Sequence, residues 1–341
     1  MGVSVTLFPF SFWDCWWLGP LALVLDLWLG DPALPWRHPV CLVGAALEKM
    51  EGPARKCAGS EASGCLRGRL AGAVALAVLV LGCGLVVRLL VALPVLGAVL
   101  AIYLSWAGLA MGSLLRAGRE TLEQVECAPL SGAREALSRL VSRETADMDR
   151  PLMRKTLADT LSENLTDAFV APFFWLLVGG PVGLWCYKAV STADSMWGYT
   201  TPRWRWLGWA GARADDILAW IPARLAALSL WLAHTLAAGR RPWQGIWPGL
   251  QTLARQARGM PSPNSGWPMT AAAWLCGARM AGPSVYFGVL AAKPWLGPEE
   301  GAAASWDRAR LLALCALLRY AAVCGGLCLW LAGCAFLLLL G

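Results

Sequence analysis

The sequence predicts an all-α, polytopic membrane helical bundle. Three observations carry this. Of the 341 residues, 57% are hydrophobic and only 15% are charged, where a soluble domain has roughly 45–50% and about 25%. Apolar runs recur from Trp13 to Leu340, so the chain reads as one integral membrane domain over 1–341. Strand signals are weak: alternating Val, Ile or Thr runs are few, and Ala, Leu and Arg dominate.

In chain order, residues 12–30, 70–93, 95–115 and 311–340 each approach the roughly 20 apolar residues that span a bilayer. Asp14 and Asp26 burden the first and Arg88 the second. Residues 168–190 are apolar but interrupted by Gly179, Gly180 and Pro181, which predicts a re-entrant, broken-helix segment covered by protein. Residues 217–236 contain Pro222, Arg224 and His234, so they either span or lie at the interface. The mixed charges of 116–167, at helical spacing, suggest a cytoplasmic helical insertion, and 239–310 reads as a polar loop region. The loop 31–69 carries Arg37, Lys49, Arg55, Lys56, Arg67 and Arg69, which favours the cytoplasm. The polar motifs share one face only if 168–190 and 217–236 do not both cross.

The net charge of +7 is first a topology signal. No basic stripe or binding fold accompanies it, so no nucleic-acid partner is expected. The twelve cysteines form no CxxC pair and no Cys/His ligand spacing, which argues against zinc and iron–sulfur sites. The first positive charge, Arg37, follows the first apolar run, so no cleavable signal peptide is expected. The 21 tryptophans partly fit interfacial belts.

Four polar constellations interrupt the apolar sequence. GDPALPWRHPV, 30–40, stops the first apolar run and sets Asp31 and His38 in a stiff loop; Asp31 is either a turn cap or a ligand. In 142–172, helical spacing puts Asp159, Glu163 and Asp167 on one face, with Lys155 one turn earlier and Arg143 and Asn164 nearby. Stacked carboxylates repel unless a cation lies between them, and magnesium is a candidate; the alternative is a solvated charged face. In 187–225, Lys188, Arg213 and Arg224 suit phosphate or carboxylate groups. Asp194, Asp215 and Asp216 suit metal or amine. The alternative there is a helix cap and snorkelling arginines. SPNSGWP, 262–268, offers Asn264 as a clamp or a packed loop, and Lys293 follows in KPWLG. No GxxxxGK[ST], GxGxxG, HExxH or GxSxG occurs, so any nucleotide chemistry uses a non-standard site.

Together the motifs GDP…HPV, RET…SEN–TDA–VAPFFW–GG, YKAV–T–DSM–GY, AR–DDI…PARL, SPN…GP–YFG and KPWLG, in this order from about Asp26 to Gly297, resemble the adenosylcobinamide-phosphate synthase family of cobalamin biosynthesis. The resemblance implies a multi-pass protein of the bacterial inner membrane. It would join adenosylcobyric acid to aminopropanol phosphate, or a related amino alcohol phosphate, through an amide, using ATP and magnesium. Other corrinoid-pathway enzymes and membrane lipid are the further partners it implies. Asp159, Ser191 and Ser142 stand where the family pattern has Glu, Asn and Gly.

On this reading Glu163, Asp167, Asp194, Asp215 and Asp216 are the catalytic acids, with Glu163, Asp167 and Asp215 facing the metal. Asp31, His38, Arg143, Asn164, Lys188, Ser195, Arg213, Arg224, Asn264 and Lys293 bind substrate or phosphate. Two rivals are a corrinoid transporter, disfavoured because no inverted repeat is visible, and a non-catalytic scaffold or sensor, disfavoured because the clustered acids are retained.

Overall fold

A computed structural model describes residues 17–32, 37–59, 64–237, 242–286 and 288–340. Among the described residues the chain is all-α apart from two two-stranded ladders, as the composition predicts. Among the described residues, four helical runs are long and apolar enough to cross a membrane: Cys65–Val91, Leu96–Cys127, Arg150–Trp197 and Arg308–Phe336. The pair Trp209–Leu218 and Trp220–Leu236 passes the same test when taken as one broken span. The protein is therefore a multi-pass membrane protein. The expected first span differs: its described part is a 12-residue apolar helix, Leu18–Leu29, and the remainder of 12–30 lies outside the described residues.

The chain divides into two compact units. The first holds α1 (Leu18–Leu29), α2 (Pro39–Ala58), α3 (Gly64–Val91), α4 (Leu96–Ala107), α8 (Ala171–Trp197) and α9 (Trp209–Leu218). Here α8 packs on α2, α3, α4 and α9. A Cβ on Gly108, just after α4, would fall 2.0 Å from Leu184 on α8, so a side chain would block this approach. Buried polar edges are paired, since the Trp185 indole donates to the Leu104 carbonyl at 2.9 Å and Trp106 donates to Gly30 at 2.7 Å. His38 caps α2, its Nδ1 accepting from the Val40 amide at 3.3 Å, and Pro39 sits in the first turn where a missing N–H costs nothing.

The break expected near 179–181 is present. Gly179 and Gly180 leave helical geometry inside α8, and Gly180 has φ 59° and ψ −158°, a region open essentially to glycine alone. Gly180→Ala is expected to lower stability by about 1–3 kcal/mol, read as a lower thermal midpoint of the detergent-solubilised protein. An unchanged midpoint would show that the break relaxes freely.

The second unit holds α5 (Met111–Cys127), α6 (Leu130–Ser138), α7 (Arg150–Leu165), a π-helical turn (Thr166–Val170), α10 (Trp220–Leu236), α11 (Leu250–Ala257) and α12 (Gly266–Cys276), and α13 (Arg308–Leu340) begins in it. Helix α7, capped by the Asp149 carboxylate on the Leu152 amide at 2.9 Å, packs against α5, α6 and α12. It is not a solvated charged face: Met153 through Ser162 are buried except Arg154, which is half-buried. Residues 239–310 also depart from the expected loop. They form α11, α12 and the strands β1 (Met280–Ala281), β2 (Ser284–Tyr286), β3 (Val289–Ala291) and β4 (Trp295–Leu296), paired β1–β4 and β2–β3. The Gly- and Pro-rich composition that suggested loop serves here as turns between very short elements.

Candidate functional site

On α7, Lys155, Asp159 and Glu163 stand at i, i+4 and i+8, one above another. The repulsion expected along this face is removed by basic residues. Asp159 is fully buried, and its Oδ2 accepts from Arg143 at 2.6 Å and from Lys155 at 3.1 Å. Its Oδ1 accepts the Ala281 amide at 2.8 Å, while Lys155 donates to the Ala281 carbonyl. Ala281 has φ 58°, a left-handed conformation costing roughly 1–2 kcal/mol in a residue with a Cβ. The ion pair thus holds a strained strand end in place. Burial works against the charge of Arg143, but Asp159, Tyr286 and Glu163 more than offset it and raise its pKa above the ordinary value.

Around this buried pair lies a second layer. The Tyr286 hydroxyl accepts from Arg143 Nε at 2.8 Å and from Lys293 Nζ at 2.7 Å. With two cations donating to the phenol oxygen, its own proton remains as a donor for a further acceptor. Lys293 also lies over the Tyr286 ring at 4.6 Å, and Lys155 and Arg279 lie over Trp295 at 5.3 and 4.4 Å. Glu163 is half-buried; Lys293 and Arg143 are the cations acting on it, and Asp167 and Asp159 the nearby carboxylates. Asp167 falls in the π-helical turn, which shifts it out of the simple 3.6-residue register and is a device common at functional sites. The three predicted acids therefore divide: Asp159 is engaged by Arg143 and Lys155, while Glu163 and Asp167 stand beyond this pair along the chain.

Arg224, on α10, is stacked between Trp220 and Trp267 at 4.1 and 4.6 Å. Its Nη1 donates to the Trp220 carbonyl at 2.7 Å and to Asn264 Oδ1 at 3.1 Å. Two aromatic faces fix the plane of the guanidinium, which pre-organises it for a carboxylate or phosphate. Asn264 is thus a clamp on the arginine. Asn164 spends its amide on the Thr160 carbonyl one turn back, at 2.9 Å.

The remaining predicted residues belong to the first unit and form two groups. Asp31 and Lys188 both act electrostatically on His38. Burial lowers the His38 pKa and Lys188 lowers it further, against the opposing effects of Asp31 and the Ala107 backbone. Near the end of α8, Asp194 feels the charge of Asp216, and Asp216 pairs with Arg213 at 3.5 Å. Asp215 is half-buried beside them in sequence, Arg213 is exposed, and Ser195 is exposed.

Among the described residues, no three His, Cys, Asp or Glu side chains come together as metal ligands. Glu163 and Asp167 are in the second unit and Asp215 in the first. Sequence reasoning missed Tyr286, Trp267 and Trp295 as site residues. Tyr286 and Trp295 sit inside the quoted motifs GPSVYFG and KPWLG, but nothing local in them announces partners on α7.

A family model described as CobD/Cbib protein matches residues 20–315. The chain is similar to the cobalamin biosynthesis protein CobD of Pelobacter propionicus, 38% identical over 283 residues, covering 81% of this chain and 83% of that one. The same-named protein of Rhodobacter capsulatus is 36% identical over 303 residues, 86% and 90% of the two chains. That of Photorhabdus laumondii is 34% identical over 288 residues, 82% and 86%. No solved structure matches.

Proposed function

The chain belongs to the CobD/CbiB family of cobalamin biosynthesis proteins, and from that premise we propose that it is an amide-forming ligase of the bacterial inner membrane. It joins the free carboxyl of adenosylcobyric acid to aminopropanol phosphate, or a related amino alcohol phosphate, to give adenosylcobinamide phosphate. The observation that carries the reading is the second-unit cluster, where Glu163 and Asp167 stand beside Lys293, Tyr286 and Arg143. Anionic substrates need the cations, and an amine delivered as an ammonium needs a carboxylate.

The residues fit magnesium brought in on phosphate better than a dedicated protein cage. Magnesium commonly takes one or two carboxylates and fills its shell with water and phosphate oxygens, so Glu163 and Asp167 suffice without a third acid. Arg143, Lys155 and Lys293 are balanced by Asp159, Glu163 and Asp167, which leaves no surplus charge for a triphosphate unless a cation accompanies it. A carboxylate resists attack by an amine, and ATP with magnesium supplies the activating phosphoryl group. Lys293 and Arg143 hold anionic oxygens, and the Tyr286 hydroxyl donates to the oxygen on which charge grows. Whichever of Glu163 and Asp167 does not hold magnesium takes the proton that the attacking amine loses. Arg224, fixed between its tryptophans, binds a further phosphate or carboxylate.

The test is product formation by the purified full chain in detergent or vesicles, given adenosylcobyric acid, aminopropanol phosphate and Mg-ATP. Adenosylcobinamide phosphate is expected, and only with all components present. No product, together with corrinoid accumulation inside sealed vesicles, would replace the ligase by a transporter.

A further inference from the structure

The groove between α2 and α3 in the first unit plays no part in this chemistry. It is a cleft of about 620 Å³ whose apolar walls include Met50, Pro53, Leu70, Val74 and Val78. Leu70, Val74 and Val78 are 56%, 63% and 57% exposed on a helix long and apolar enough to cross a membrane. Apolar side chains left open on such a helix meet acyl chains rather than water.

At the Arg67 end, the groove is bounded by Lys49 and Arg67, both exposed, and no carboxylate is among its described lining residues. Close to that end in the same unit lies a cation–aromatic layer. Arg55 and Arg203 flank the Trp204 ring at 4.7 and 4.8 Å, and Arg69 lies over Trp206 and Trp209 at 5.1 and 4.9 Å. Arg205 covers Trp206 at 4.5 Å. A single carboxylate, Glu51, serves Arg55 and Arg203 at 2.8 and 2.6 Å. Tryptophan and arginine together at the start of an apolar span mark the membrane–water interface, and basic clusters there attract anionic lipid.

We propose that the α2–α3 groove binds one anionic glycerophospholipid, with its phosphate at Lys49 and Arg67 and an acyl chain along Leu70, Val74 and Val78. Charge complementarity selects this occupant. A zwitterionic lipid brings its own ammonium to two cations, and a second copy of the chain would set one basic mouth against another. A free phosphate gains nothing from the apolar walls. The site is independent of the ligase reading, since none of its residues belongs to the second-unit cluster.

Native mass spectrometry of the purified full chain tests it, with phosphatidylglycerol and phosphatidylcholine of identical chains as probes. One tightly retained phosphatidylglycerol per chain is expected. Lys49→Gln with Arg67→Gln should weaken it about thirtyfold, the effect of two basic residues near a membrane surface, while phosphatidylcholine binding is unchanged. Ala71→Phe, which fills the groove, should reduce both lipids. Thermal midpoints close to the parent's establish that the variants are folded. Equal retention of the two lipids by the parent, a diffuse series of lipids lost together, or an undiminished preference in the double variant would overturn the site.

Discussion

Asp159→Asn is expected to destabilise the second unit by about 3–5 kcal/mol, the usual result of removing one partner from a buried ion pair. Arg143 and Lys155 would stay at this fully buried position with no carboxylate between them. An amide nitrogen would also face one of them, or face the Ala281 amide that Oδ1 now accepts. The left-handed Ala281 would then lose its anchor, so β1 should loosen along with α7. The measurement is the thermal midpoint in detergent, followed by tryptophan fluorescence. Asp159→Glu, the residue usual in the family pattern, separates charge from space. It keeps the charge and adds one methylene to a packed site, so about 1–3 kcal/mol is expected. Equal midpoints for Asp159→Asn and the parent would mean that the network is not structural.

That prediction rests on contacts the sequence did not reveal. The membrane helices that are continuous apolar runs were legible: 311–340 falls within Arg308–Leu340, and 70–93 overlaps Gly64–Val91 to within two residues of its end. The break in α8 was legible because Gly179, Gly180 and Pro181 act locally. Helix α7 was not. Its sequence, RPLMRKTLADTLSENL, shows no apolar stripe, since polar groups on it are buried against partners far along the chain. Asp159 meets Arg143 across 16 residues and Ala281 across 122, and Arg143 meets Tyr286 across 143. Periodicity reports burial only when burial is apolar. The same limit hid the Arg224 clamp, where an arginine flanked by tryptophans reads as an interfacial anchor until Asn264, 40 residues away, is seen to hold it.

Glu163→Gln should have the opposite effect from Asp159→Asn: a folded protein with amide synthesis reduced at least about a hundredfold, the lower range for loss of a general acid–base group. The two carboxylates are one helical turn apart, so local position cannot distinguish them. Their surroundings do. Asp159 is fully buried and engaged by two cations and a backbone amide, whereas Glu163 is half-buried and feels Lys293 and Arg143 without a direct ion pair to either. Gln keeps the volume and removes only the charge. Arg143 retains Asp159 and Tyr286, and Lys293 retains Tyr286, so the thermal midpoint should stay within what about 1 kcal/mol produces. A loss of proton transfer lowers kcat and leaves the KM for the anionic substrates nearly unchanged, whereas a loss of magnesium positioning raises the magnesium requirement. Measuring both in one titration assigns the role. Parent-level turnover in Glu163→Gln would remove Glu163 from the chemistry and transfer the proton-accepting role to Asp167, its neighbour in the π-helical turn.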